Sequence, residues 1–312
     1  MKNVFSLKTL SVATVLSISL LYSCKKDNED ALSSADSQNV NSESVSASST
    51  SETADISSTI INNSNDTQLS GARVAATQID WKSLDGRLKG AEITITPENG
   101  STFAVPQGTI TINFGTGQTD AAGVTRKGLI TITYYGRRFK TDSYRTIHFT
   151  GYSRTQNSNT ITFDDAMVYT VTNVTDSTAV PLKMHHVLEN GKLTFSSDGS
   201  SIIRNSNIVV AWDKNAGTLT HLAKTQDVLH SATGTNRKEV NYTMDITKDL
   251  VYKVSCLSSN VYIPVSGTKL FKVGNNATIE YTIDYGNGDC DNTVVVTIGG
   301  KSVTVTASGN GN

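Results

Sequence analysis

Two short stretches, ITINF at residues 110–114 and ITITY at residues 130–134, decide the fold class of this chain. In both, isoleucine or an aromatic residue alternates with threonine or asparagine. A period of two is typical of a β-strand with one buried and one exposed face. The same alternation recurs at residues 93–95, 208–212, 242–246, 279–283 and 303–305.

Turn-forming sequences separate many of these runs. They are ENG at 98–100 and at 189–191, SDG at 197–199, and IGGK at 298–301. No stretch shows a helical stripe longer than two turns. Strands without intervening helices pair as antiparallel hairpins. The sequence therefore predicts an all-β domain over residues 76–312, built as a barrel, a half-barrel or a sandwich.

The first 24 residues resemble a bacterial lipoprotein signal. A charged start precedes an apolar run over about residues 10–21, and Cys24 follows a small residue. The run is well short of the ~20 apolar residues that a membrane-spanning helix needs. We therefore expect residues 1–23 to be removed and Cys24 to carry the lipid that holds the protein on a membrane.

Residues 24–75 are dominated by serine, asparagine, threonine and acidic residues, and they contain no aromatic residue and no proline. Such a composition predicts a disordered tether. The acidic cluster KKDNED at residues 25–30 resembles the export tag of outer-membrane lipoproteins. We expect display at the cell surface, with the periplasmic face of the outer membrane as the alternative.

The net charge argues against nucleic acid as a partner. Removal of residues 1–23 takes away Lys2 and Lys8, so the 27 basic residues become 25 against 28 acidic ones. A chain with a net charge near −3 has little overall attraction for a phosphate backbone, which argues against nucleic acid as the main partner.

Two stretches of the chain echo one another, at residues 111–120 and 282–291. Each reads Thr-Ile, Asn or Asp, an aromatic residue, Gly-x-Gly, two residues, and Asp. The shared glycines predict a strand exit with positive φ. Either a duplication or convergence on one turn type accounts for the echo.

The second copy is a weak Ca²⁺ candidate, because Ca²⁺ prefers oxygen ligands. The alternative is a turn in which the side chains bind their own backbone. The four residues concerned are Asp284, Asn287, Asp289 and Asp291.

Export to an oxidising compartment predicts a disulfide between Cys256 and Cys290. No catalytic motif is recognisable, so we assign no catalytic residue and no cofactor beyond the Ca²⁺ candidate. His185 and His186 are adjacent, so in a strand they face opposite sides. The same holds for the carboxylate pair Asp164 and Asp165.

Several stretches are similar to an uncharacterised family of Bacteroidota outer-membrane lipoproteins. The most specific is IDYGNGDCDN at residues 283–292; the others are NFGTG at 113–117, GVTRKG at 123–128, GTNR at 234–237, and LVYKVSC at 250–256. Where members often carry a cysteine after the first Gly-x-Gly, this chain has Gln118. The resemblance implies an all-β secreted domain and no known activity.

These observations lead to three functional expectations. The first is a non-catalytic surface lipoprotein with a binding or structural role, whose partner is a macromolecule or a glycan. The second is a carrier that holds a small apolar ligand inside a β-barrel or half-barrel. The third is a hydrolase that acts on glycans, which requires two facing carboxylates.

Overall fold

The computed structural model describes residues 34–64, 69, 79–137, 140–176, 181–213, 215–223, 231–259, 261, 263–274 and 279–306. Helix α1 (Ser34–Asn63) comes first, followed by the short helix α2 (Trp81–Leu84). Two 3₁₀ turns lie at Gly86–Leu88 and Val254–Ser259. The described residues also form sixteen strands. They are β1 (Glu92–Pro97), β2 (Gln107–Asn113), β3 (Gln118–Thr119), β4 (Thr125–Tyr135), β5 (Tyr144–Gln156), β6 (Asn159–Phe163), β7 (Val168–Asn173), β8 (Leu182–Phe195), β9 (Ser201–Asp213), β10 (Thr218–His221), β11 (Ser231–Thr235), β12 (Asn241–Lys253), β13 (Ser266–Val273), β14 (Ile279–Asn287), β15 (Thr293–Ile298) and β16 (Lys301–Thr306).

All of these strands belong to one antiparallel sheet, which confirms the all-β prediction. The main path of the sheet runs β1-β2-β4-β5-β6-β8-β9-β10-β12-β13-β14-β15-β16. Of the other strands, β3 pairs with β4, β7 pairs with β5 and β8, and β11 pairs with β9 and β12. Most neighbours in the sheet are also close neighbours in sequence, so the chain is a long meander.

The alternation that predicted the strands also predicted their buried face. Ile110 of β2 lies opposite Ile132 of β4, and Ile112 lies opposite Ile130. All four side chains are fully buried, whereas the threonines between them are not. A period of two places these isoleucines on a single face of the sheet.

One predicted turn is instead a bulge within a strand. The ENG sequence at residues 189–191 lies inside β8, where the register with β9 shifts between Leu188 and Gly191. Asn190 takes the positive φ of 52° that the bulge requires. A side chain at position 191 would come within 2.4 Å of the Arg204 carbonyl oxygen, so only glycine fits there.

The buried side chains form two main clusters along the sheet. The first joins α1 to one face of strands β2, β4 to β8 and the start of β9. The second covers the end of β9 and strands β11 to β15. Because strands as distant as β2 and β8 contribute to one cluster around α1, the first part of the sheet curves around the helix, in the manner of a half-barrel.

From residue 45 to residue 64, the structure departs from the prediction of a disordered tether over residues 24–75, because this part of α1 is packed. From Val45 to Ser64 most of its described side chains are buried, with Ile56 and Ile60 almost completely so. The folded unit therefore begins well before residue 76. Residues 24–33, 65–68 and 70–75 lie outside the described part of the chain, so the prediction for them stands.

Several hydroxyl groups of this serine- and threonine-rich helix bond to its own backbone. Thr50, Thr53, Ser58 and Ser64 each donate to the carbonyl oxygen four residues earlier, at distances of 2.7 to 3.0 Å. Such bonds satisfy polar groups that would otherwise be costly to bury. Small side chains also let the helix approach the sheet closely, so packing compensates for weak helix propensity.

The predicted disulfide between Cys256 and Cys290 is present. It joins the 3₁₀ turn after β12 to the loop between β14 and β15, 34 residues further along the chain. Cys256 is buried in a small cluster of its own, together with Val261, Ile263 and Val265. The bridge thus holds this small cluster beside the second core, and Tyr285 and Val294 pack against both.

We expect the double variant Cys256→Ala and Cys290→Ala to fold with its free energy of unfolding lowered by about 3–4 kcal/mol. The physical reason is the entropy that the unfolded chain regains when a loop of this length is opened. Urea unfolding of both proteins measures the difference. A loss below about 1 kcal/mol would contradict a bridge formed in the mature protein.

Candidate functional site

The central feature of the site is a buried carboxylate on α1 between two arginines of the sheet. Arg126 of β4 and Arg154 of β5 lie directly opposite each other in the register. Arg126 Nη2 donates to Glu52 Oε1 at 2.5 Å, and Arg154 Nη1 donates to Glu52 Oε2. Like charges that face each other across strands repel. Glu52 is therefore the counter-charge that both arginines need.

All three groups are almost completely removed from solvent. The side chain of Glu52 is 4% exposed, and those of Arg126 and Arg154 are 3% and 7% exposed. Arg126 has a second acidic partner, since its Nη1 donates to Asp120 Oδ2 at 2.6 Å. Burial acts to raise the pKa of Glu52, but Arg154 and then Arg126 more than offset it, so the pKa lies below its usual value.

A second ion cluster connects the next turn of α1 to the 3₁₀ turn at Gly86–Leu88. Arg87 Nη2 contacts Asp55 Oδ2 of the helix and Asp85 Oδ2, each at 2.5 Å. Asp85 also accepts a hydrogen bond from the backbone N–H of Arg87, which holds the 3₁₀ turn in place. Burial raises the pKa of Asp55 despite the attraction of Arg87. Two successive turns of the helix are thus held by charge.

A small cavity of about 60 Å³ lies where α1 ends. Ile61 of the helix, Tyr134 of β4, Arg145 of β5 and Met184 of β8 contribute to its lining. Arg145 Nη2 donates to Ser58 Oγ at 2.8 Å. The arginine lies on the same face of β5 as the buried Ile147, so it points toward the helix side of the sheet.

The predicted orientation of the two adjacent histidines is confirmed. His186 lies on the buried side, where its Nδ1 is 2.6 Å from the Tyr169 hydroxyl. His185 Nε2 is 2.6 Å from Asn207 Oδ1 on the other side of β8. Burial lowers the pKa of His186 to about 3, so this ring is neutral at physiological pH.

The Gly-x-Gly echo corresponds to one local geometry. Asn113 Oδ1 accepts from the N–H of Gly115 at 2.8 Å, and Asp284 Oδ1 accepts from the N–H of Gly286 at 2.8 Å. Both glycines have the predicted positive φ, 56° and 90°. The predicted strand exit is found only in the first copy, because β2 ends at Asn113 whereas Gly286 lies within β14. The two copies are therefore the same type of Asx turn.

In the second copy, Asp284 and Asp291 bond to nearby backbone N–H groups of the loop. Asp291 Oδ1 accepts from both the N–H and the hydroxyl of Thr293, which holds the pKa of Asp291 below its usual value. Asn287 pairs with Ser266 between β14 and β13. Lys253 Nζ donates to the Gly288 carbonyl at 2.6 Å, which places a positive charge at the loop.

The described residues contain no group of three or more histidine, cysteine, aspartate or glutamate side chains arranged to hold a metal ion. Whether Asp284, Asn287, Asp289 and Asp291 bind Ca²⁺ stays a prediction. Cys24 lies outside the described residues, so its lipidation is likewise untested. Asp164 and Asp165 are separate turn residues, since Asp164 caps the N–H of Ala166 and Asp165 accepts from the N–H of Gly151.

No protein-family profile, curated protein or solved structure matches this chain. Within the described residues, no helix has both the length and the apolar character needed to cross a membrane.

The sequence reasoning missed the arginines of the buried face, although a signal was present. Arg145 is two residues before Ile147, and Arg154 is two residues after Tyr152, so both fall in phase with buried apolar positions. A charge in the buried phase of a strand predicts a buried partner. The partner, Glu52, lies in a segment whose composition predicts a disordered tether.

We expect Glu52→Gln to lower the free energy of unfolding by about 3–5 kcal/mol, because it leaves Arg154 buried without its carboxylate. The matched control is Glu92→Gln, which removes the same charge from an exposed position of β1. That control should stay within about 0.5 kcal/mol of the wild type. Equal effects of the two substitutions in urea unfolding would contradict the pairing.

The contribution of Glu52 should also depend on pH. Its pKa in the folded state lies below the usual value of 4.5. Its stabilisation is therefore complete above that value and is lost as the pH falls through the lower, folded pKa. Unfolding free energies of the wild type and Glu52→Gln, measured from pH 7 to pH 3, should converge toward the acid end. A constant difference across this range would argue against an ionised Glu52.

Proposed function

We propose that this chain is a lipid-anchored lipoprotein of the outer membrane, displayed at the cell surface, with a non-catalytic binding or structural role. The observation that carries the proposal is that α1, which begins ten residues after Cys24, is built into the core of the sheet. The resemblance to Bacteroidota outer-membrane lipoproteins supports the same conclusion. The periplasmic face of the outer membrane remains the alternative location.

The position of α1 changes how the anchor relates to the sheet. Ten residues span at most about 35 Å when fully extended. A lipid on Cys24 would therefore keep the start of α1 within that distance of the membrane surface. Since Glu52 and Asp55 fix the helix to the sheet, force on the anchor passes directly into the folded domain, which suits a structural or adhesive role.

The interior of the curved sheet supports a binding or structural role more than a carrier role. Ile56 and Ile60 of α1 occupy the space that a carried apolar ligand would fill. The buried carboxylates Glu52, Asp85 and Asp120 are each ion-paired with an arginine. An ion-paired carboxylate is held in its charged form and is poorly suited to act as the general acid of a glycan hydrolase.

The outer surface offers apolar side chains to a partner. Phe103 is 57% exposed and lies under the Arg137 guanidinium, 4.1 Å from the ring centre. Tyr135 and Tyr144 stack on each other and are 40% and 41% exposed. Exposed aromatic residues with a polar tip are typical of surfaces that bind glycans or other macromolecules.

The test is a gene deletion complemented with the wild type or with Cys24→Ser. We expect the deletion to weaken the envelope or to reduce adhesion, measured as detergent sensitivity and surface attachment. The wild type should restore both properties and be cleaved by protease added to intact cells. Cys24→Ser should restore neither and should leave the membrane fraction.

Two results would contradict the proposal. The first is a Cys24→Ser protein that stays in the membrane fraction, which would exclude anchoring through this residue. The second is full complementation by a Cys24→Ser protein released from the membrane, which would show that anchoring is not needed for the role. A wild-type protein protected from external protease would place it on the periplasmic face.

A further inference from the structure

Arg145 lines the cavity at the end of α1 and contacts no carboxylate among the described residues. Its space of about 60 Å³ is roughly four times what one ordered water needs. Tyr134, Ser143, Arg145 and Asn173 are among the residues that line it. Arg137 also lines it, and its guanidinium lies over the Phe103 ring. Among the described residues that line this cavity, none is acidic.

Arg145 differs from three other arginines of the buried face. Arg87, Arg126 and Arg154 each contact at least one carboxylate. Arg145 makes a single hydrogen bond, to the Ser58 hydroxyl, and its buried Nε has no partner. Asp55 is near enough to attract it, but that carboxylate is bonded to Arg87.

An unpaired guanidinium is costly to keep inside a protein. Burial lowers the pKa of Arg145 to about 10, which still leaves the group charged at neutral pH. A buried charge is normally matched by an opposite charge or by a full set of hydrogen bonds. Arginine offers two parallel N–H donors that fit the oxygens of a carboxylate or phosphate group.

We propose that this cavity binds a small oxyanion, a carboxylate, phosphate or sulfate group, through Arg145. The cavity has room for the anionic group and little more. An anionic end group of a larger ligand would therefore enter it, while the rest of the ligand would lie outward along Tyr135 and Tyr144, which also line the cavity. This inference does not depend on where the protein is anchored.

The test uses the full mature chain and measures its unfolding temperature in increasing inorganic phosphate, with sodium chloride keeping the ionic strength constant. We expect a saturable rise, because a ligand that binds only the folded state stabilises it. Arg145→Met should weaken phosphate binding by about tenfold to a hundredfold, which corresponds to the loss of charge-assisted hydrogen bonds. Lys301→Gln, which removes an exposed positive charge from β16 at the far edge of the sheet, should bind phosphate like the wild type.

A second readout separates anion binding from a purely structural role of Arg145. Without phosphate, Arg145→Met should unfold at the same temperature as the wild type or a higher one, because it removes an uncompensated buried charge. Ser58 keeps its own bond to the Ala54 carbonyl, at 2.8 Å, in that variant. A large destabilisation of the anion-free variant would show that Arg145 is a structural residue and would overturn the proposal.

Comparison of ligands identifies the source of the anion. Acetate and inorganic phosphate test free oxyanions, and glycerol 1-phosphate tests an esterified end group. Tighter binding of the ester supports a larger ligand, whereas equal binding supports a free ion. A rise in unfolding temperature that is the same for the wild type and Arg145→Met, or no saturable effect of any of the three, overturns the site.

Discussion

The arrangement of two arginines opposite each other on neighbouring strands constrains the whole first half of the fold. Arg126 and Arg154 face the same side of the sheet at one register position, so they cannot be buried together without an acid between them. Glu52 is the residue that stands there, 74 and 102 positions away in sequence. The strands can therefore curve inward and bury their arginines only when α1 is in place.

The strands of this protein were predictable because their determinants are local. The alternation at residues 110–114 and 130–134 involves only neighbouring residues, and it predicts both the strands and their buried face. The glycine turns are predictable because glycine adopts positive φ angles at little cost. The ENG sequence at 189–191 shows the limit of such reasoning. The same residues that make a hairpin turn also make a bulge, and the choice depends on β9, the neighbouring strand, whose position the local sequence does not specify.

Helix α1 was not predictable for the opposite reason, since nearly all of its stabilisation is non-local. Its serines and threonines are weak helix formers, and in isolation such a segment would not bury enough apolar area to fold. What changes the outcome is a curved sheet that surrounds Ile56 and Ile60 and supplies arginines to Glu52 and Asp55. The disulfide, by contrast, was predictable, because the sequence contains a signal-like N-terminus and one pair of cysteines after Cys24.

The distribution of charge along α1 explains why the interior is filled around Glu52 but contains a cavity near Ile61. The acids of the packed part of the helix are Glu52 and Asp55, and from Ser57 to Asn63 it carries none. Arginines of the sheet, however, continue to Arg145, which meets the helix only at the Ser58 hydroxyl. Around Glu52 and Asp55, ion pairs join α1 to neighbouring elements and leave no room for a ligand. Beyond its last acid, the sheet still presents Arg145 to a cavity without a direct carboxylate contact, and an anion bound there would supply one. One sequence feature, the position at which acidic residues stop along α1, thus separates the structural part of the buried face from the part that is free to bind a ligand.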